Sequence, residues 1–150
     1  MSARQLKQGS GLGVGRVGRR RVLWLGALSA LLIPGIAHAG SYLNRAGMLV
    51  AQASQESDYL RARVNDKDLA ELVRRVALAR LEAASRMNVP KEVVQAHPHL
   101  LLVLENYERS AAAATEGQAE RFLIYQQRAR DEERTLRGVL KQLGWSLPEY

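Results

Sequence analysis

The chain has 150 residues, room for one domain of ordinary size, and no cysteine, which excludes disulfides, thiolate metal sites and cysteine nucleophiles. Aromatic residues make up only 5% of it, so aliphatic side chains must build the core. The formal charge of +7 is concentrated at one end: six of the 22 basic residues (Arg4, Lys7, Arg16, Arg19, Arg20, Arg21) precede Val22 and no acidic residue does, leaving 16 bases against 15 acids, a net charge of +1. A near-neutral body without a basic block is a poor phosphate binder, which argues against nucleic acid as a partner.

Residues 1–21 are polar, Gly-rich and positive, and Val22–Ala37 is an apolar run with Pro34 and Gly35 near its end. Ala37-His38-Ala39 then places small residues around a permissive middle one, ahead of Gly40. This is the three-part layout of a secretory signal peptide over residues 1–39, with cleavage expected after Ala39. The apolar run is shorter than the roughly 20 residues a membrane span needs and carries a helix breaker; an uncleaved anchor is the alternative. Gly18-Arg19-Arg20-Arg21-Val22-Leu23 resembles the twin-arginine export signal, which implies a route for folded cargo in place of the general secretory one. The glycine run at 11–18 has no strand before it and does not qualify as a phosphate loop. The expected location is the periplasm or the exterior of a bacterial cell, with the membrane met only through the leader.

The mature domain is expected to begin at Gly40, with Ser41 as the N-cap of its first helix. Leu43, Ala46, Val50, Ala53, Ser57, Leu60 and Val64 alternate steps of three and four, a narrow seam of coiled-coil type. Asn65-Asp66 interrupts it and caps a second helix, where Asp68 lies in the first turn favoured by the helix dipole. The second seam reads Leu69, Val73, Val76, Ala83 and Met87, flanked by Leu72, Ala77 and Leu81. Pro90 and Pro98 each suit a first helical turn and damage a helix interior, which predicts a short helical piece over 90–96 and a long helix from near Pro98. A single helix kinked at Pro98 is the alternative.

Two amphipathic runs then meet at Glu116-Gly117. Leu100, Leu104, Tyr107, Ala111 and Ala114 form the face before the break; Phe122, Tyr125, Ala129, Leu136, Val139 and Leu143 form the face after it. Gly117 takes a left-handed conformation without steric cost, and so short a turn sends the last helix back along its predecessor. The four alanines 111–114 have almost no bulk and predict a close crossing of the two helices. Gly144 is expected to stop the last helix, with Trp145 folded back on it, leaving 146–150 as a short tail. The fold class is therefore all-α: two tandem helical hairpins forming an up-and-down four-helix bundle over residues 40–145, because no helix with one apolar face buries it alone.

Chemistry is sparse. Glu105, Glu108, Glu132 and Glu133 lie in helix interiors as a di-iron bundle's carboxylates do, but the Glu-x-x-His pairs such a site needs are missing, and His97 and His99 flank Pro98 two residues apart. Those carboxylates are the weak metal candidates; the plainer reading is a solvated flank or ion pairing with Arg80, Arg128 or Arg137, Arg80 being within reach of Glu132 or Glu133. A haem held by Met48 and His97 or His99 is a further alternative without a covalent attachment motif. Met87 reads as a core gap-filler. No Gly-x-Ser-x-Gly elbow exists. The chain is thus expected to be non-enzymatic and without cofactor. Leu101-Leu102-Val103 and Phe122-Leu123-Ile124-Tyr125 are apolar beyond what one face requires, which points to a protein partner or a homodimer. Leu101, Leu102, Tyr107, Phe122, Ile124 and Tyr125 are the interface candidates. Protein binding or self-association in the cell envelope is the leading expectation; a metal- or haem-binding bundle and an envelope stress sensor or chaperone are the alternatives.

Overall fold

The computed structural model describes residues 34–150. They form four α-helices packed against one another: α1 Pro34–Arg61, α2 Lys67–Ser85, α3 His97–Thr115 and α4 Ala119–Gln142, with a 3-10 turn Lys91–Val93 before α3. There is no strand among the described residues. The basic start of the leader, most of its apolar run and the twin-arginine-like Gly18–Leu23 lie outside the described residues. Within them, α1 runs unbroken through Ala39 and Gly40, so Ser41 is an interior helical residue and not an N-cap. No described helix is long and apolar enough to cross a membrane.

The punctuation between helices is side-chain and backbone chemistry of known kinds. Asp66 caps α2 by accepting from the Leu69 amide at 3.0 Å. Pro98 sits in the first turn of α3, and the segment before it narrows to a 3-10 turn. At the end of α3, Gly117 adopts φ 71°, the Gln118 amide donates to Ala113 O at 2.8 Å and the Gly117 amide to Ala114 O at 3.0 Å. That pair of bonds is a Schellman motif, and it recurs after α4: Gly144 has φ 81°, Trp145 donates to Leu140 O and Gly144 to Lys141 O. Trp145 folds back onto the core that holds Leu140.

The core has two parts. One gathers Leu60 at the end of α1, Ala70 at the start of α2, Ala111, Ala113 and Ala114 at the end of α3 and Phe122 at the start of α4. The other, larger one holds Leu43, Val50, Ala84, Val93, Leu100, Leu104, Tyr107, Leu136 and Leu140. Helix α3 packs against all three others. The alanine run does bring α3 and α4 close: the Ser110 hydroxyl reaches across to donate to the Phe122 backbone carbonyl at 3.0 Å. The seam of α1 is buried from Leu43 to Leu60.

Two faces differ from the sequence expectation. In α4 the deep positions after Phe122 are Gln126, Ala129, Leu136 and Leu140, while Tyr125, Val139 and Leu143 sit at the margin. Gln126 tolerates burial because its amide donates to Ser57 Oγ and Asp58 Oδ1, each at 3.0 Å. In α2 the buried residues are Ala70, Ala77, Arg80 and Ala84. The expected seam is rotated outward: Val76, Ala83 and Leu72 are exposed, and Leu69, Val73 and Met87 only half-buried. The reason is volume. Helix α3 fills the shared space with Leu100, Val103, Leu104 and Tyr107, so its neighbour α2 presents alanines spaced by seven.

Candidate interaction surface

That rotation creates an apolar surface between α1 and α2. Helices α1 and α2 border a groove of about 470 Å³ lined by Gln55, Glu56, Tyr59, Leu69, Leu72, Val73 and Val76. Leu72 is 54% exposed, Tyr59 52% and Val76 40%. Tyr59 is held over the groove's edge by the Arg63 guanidinium, 4.3 Å from its ring centre. Water gains nothing from contact with three large side chains so grouped, and a partner that covered them would be stabilised by the area removed from solvent.

Beneath the groove, one oxygen of Glu56 is paired and the other, Oε2, is buried without a hydrogen-bond partner. Arg80, 7% exposed, donates from Nη2 to Glu56 Oε1 at 2.6 Å. This corrects the expectation that Arg80 reaches Glu132 or Glu133: the rotation of α2 turns it toward α1. Glu56 and Val73 form the wall between groove and interior, since both also line a small internal void with Arg80 and Tyr107. The groove thus presents apolar walls beside the Glu56–Arg80 ion pair.

The other predicted residues distribute as follows. Leu102 and Ile124 are exposed, as is Leu123, while Leu101 and Tyr125 are half-buried. Tyr125 lies under the Arg128 guanidinium at 5.4 Å. Tyr107 and Phe122 are 3% and 1% exposed and belong to the core, so neither is available as an interface anchor. Tyr107 lies between α1 and its own helix, and burial raises the pKa of its hydroxyl. The four candidate carboxylates each take a base of their own. Glu105 pairs with Arg109 at 2.6 Å, Glu108 with Arg74 at 3.4 Å, Glu133 with Arg137 at 2.8 Å, and Glu132 accepts from His99 Nδ1 at 2.5 Å. Among the described residues no three His, Asp or Glu side chains come together as a metal site would require.

At the opposite end, the Tyr42 hydroxyl and His97 Nδ1 form a hydrogen bond at 3.0 Å, with the rings tilted at 59°. Burial lowers the pKa of the His97 ring. Burial likewise pushes the Tyr42 hydroxyl up to about 12. With His99–Glu132, this pair ties the start of α3 to α1 and α4. Both imidazoles have Nδ1 engaged, and Met48 is exposed on α1.

Tyr59 and the outward turn of Leu72 and Val76 were missed by sequence reasoning. The signal was present in the alanine spacing 70–77–84, which competes with the larger-residue stripe for the inner face. No family of proteins, curated protein or solved structure is matched by this chain.

Proposed function

We propose that the chain is an exported protein whose mature part, from Gly40, is an up-and-down four-helix bundle acting without catalysis, by binding another protein or a second copy of itself in the cell envelope. The observation that carries the reading is the outward placement of the larger apolar residues of α2 beside Tyr59, while alanines fill its inner face. A helix that turns leucine and valine to solvent and alanine to the core has arranged its contact area for something outside the fold. The bundle topology is supported by the shared cluster of the α1 end, α2 start, α3 end and α4 start. The periplasm or the exterior follows from the leader.

The test is site-specific photocrosslinking at position 72 in cells, with light scattering on purified residues 40–150. A crosslinked product at position 72 that is lost when Val76→Ser accompanies the probe, or a concentration-dependent oligomer lost in the Leu72→Ser/Val76→Ser double variant, is the expected result. A strict monomer that gives no adduct at position 72 beyond that of a probe at exposed Gln127 overturns the reading.

A further inference from the structure

Residues 146–150, expected as a plain tail, are seated on α1. Leu147 is buried and joins the larger core cluster. The Tyr150 hydroxyl donates to the backbone carbonyl of Asn44 at 3.1 Å. Between these contacts lies Gly47, in the interior of α1, where glycine is a less stable choice than alanine. A Cβ built at Gly47 would come within 2.9 Å of Tyr150 Cε2 and 3.2 Å of both Pro148 Cδ and the Pro148 carbonyl oxygen. The three nearest atoms thus all belong to this segment. Gly138, also inside a helix, has nothing within 4 Å of such a Cβ. The glycine at 47 is therefore a seat: its missing side chain is the space into which proline and tyrosine settle.

The seat borders a cleft between α1 and α4 of about 350 Å³, lined by Ala51, Ser54, Gln55, Glu133 and Arg137 together with Pro148, Glu149 and Tyr150. We propose that Pro148–Tyr150 form a displaceable strap over this cleft, pivoting beyond the buried Leu147 and latched by the tyrosine ring on Gly47. Release of the latch frees the Asn44 carbonyl and the Gly47–Ala51 face of α1 and opens the cleft toward Glu133 and Arg137. The seat then suits an extended segment with proline and tyrosine two residues apart, the class of ligand that the strap itself represents. This surface is separate from the α1–α2 groove, and the proposal stands whether or not that groove binds a partner.

The test uses Gly47→Ala in the full chain, with Gly138→Ala as the control. Trimming by carboxypeptidase, followed by mass spectrometry, reports release of the strap; thermal melting reports the helices. Gly47→Ala is expected to speed trimming roughly tenfold while the helices melt at the same or a higher temperature. Gly138→Ala is expected to leave trimming unchanged. In a chain lacking Pro148–Tyr150 but retaining Leu147, Gly47→Ala should raise the melting temperature outright, because only the helix gain remains. Trimming at the parental rate in Gly47→Ala overturns the proposal. So does a melting temperature lowered as far as a core truncation lowers it, which would make the segment an integral part of the core.

Discussion

At the scale of single residues, the Glu56–Arg80 pair shows how burial sets unequal stakes for two partners. The Arg80 side chain is 6% exposed and that of Glu56 34%. Removing the carboxylate strands a guanidinium in the interior, whereas removing the arginine leaves a carboxylate able to turn toward water. Glu56→Ala is therefore expected to cost about 3 kcal/mol in urea unfolding, and Arg80→Met about 1 kcal/mol or less. Equal losses would contradict the placement of Arg80. The Tyr42–His97 pair gives a pH dependence. Burial lowers the His97 pKa below its unfolded value of 6.5, so the unfolded chain takes up protons first as pH falls. This contribution to stability is present above pH 6.5 and is lost as pH falls below it. His97→Gln is expected to flatten the slope of unfolding free energy between pH 7 and pH 5. The buried tyrosine acts at the other extreme: with its pKa raised to about 12, stability is lost as pH climbs beyond 10.

At the scale of elements, α2 and α3 divide the labour of their contact. Helix α3 supplies the large side chains and α2 the small ones, so truncation should affect the two differently. Leu104 is fully buried, and Leu104→Ala is expected to cost about 2–5 kcal/mol through lost transfer energy and a cavity. Leu72 is a similar side chain in a similar helix, yet Leu72→Ala should remain within about 0.5 kcal/mol. Thermal and urea unfolding of the two variants tests the rotation of α2 directly. The end of α3 shows how a turn is specified more locally. Gly117 at φ 71° closes two backbone bonds that satisfy the last carbonyls, a task that needs no knowledge of the rest of the fold.

At the scale of the whole molecule, charge and apolar surface are distributed by role. The basic excess lies ahead of Val22, and the remaining sequence is nearly neutral. Several of its surface ion pairs lie within one helix, as in Glu71–Arg75, Glu82–Arg86 and Arg109–Glu105, an arrangement that favours solubility more than stability. A few cross between helices: Arg74–Glu108 and Arg130–Asp58 join α2 to α3 and α4 to α1. If the leader is removed as proposed, intact mass and N-terminal sequencing of protein from an exporting host should give a chain starting at Gly40. A product that retains residues 1–39 would favour the anchor instead.

Sequence alone was sufficient for the helices and for every helix end but the start of α1, which runs on from Pro34 past the expected cap at Ser41. Periods of three and four, the Asp66 cap, prolines at 90 and 98 and glycines at 117 and 144 act within a turn of their own position, and local chemistry of that kind is legible residue by residue. It was sufficient also for the inner faces of α1 and α3, where one apolar stripe has no rival. Packing decided what remained. Helix α2 carries two stripes, alanines at 70, 77 and 84 and larger residues at 69, 72, 73 and 76, and only the bulk of α3 selects between them. The same holds for Gln126, buried because Ser57 and Asp58 across the fold satisfy it, and for Arg80, whose partner lies 24 residues away on α1. Tyr107 and Phe122 look like interface anchors on a single helix and become core once a second helix covers them. A side chain's exposure depends on the volume of its neighbours, and that volume is known only when the helices have met.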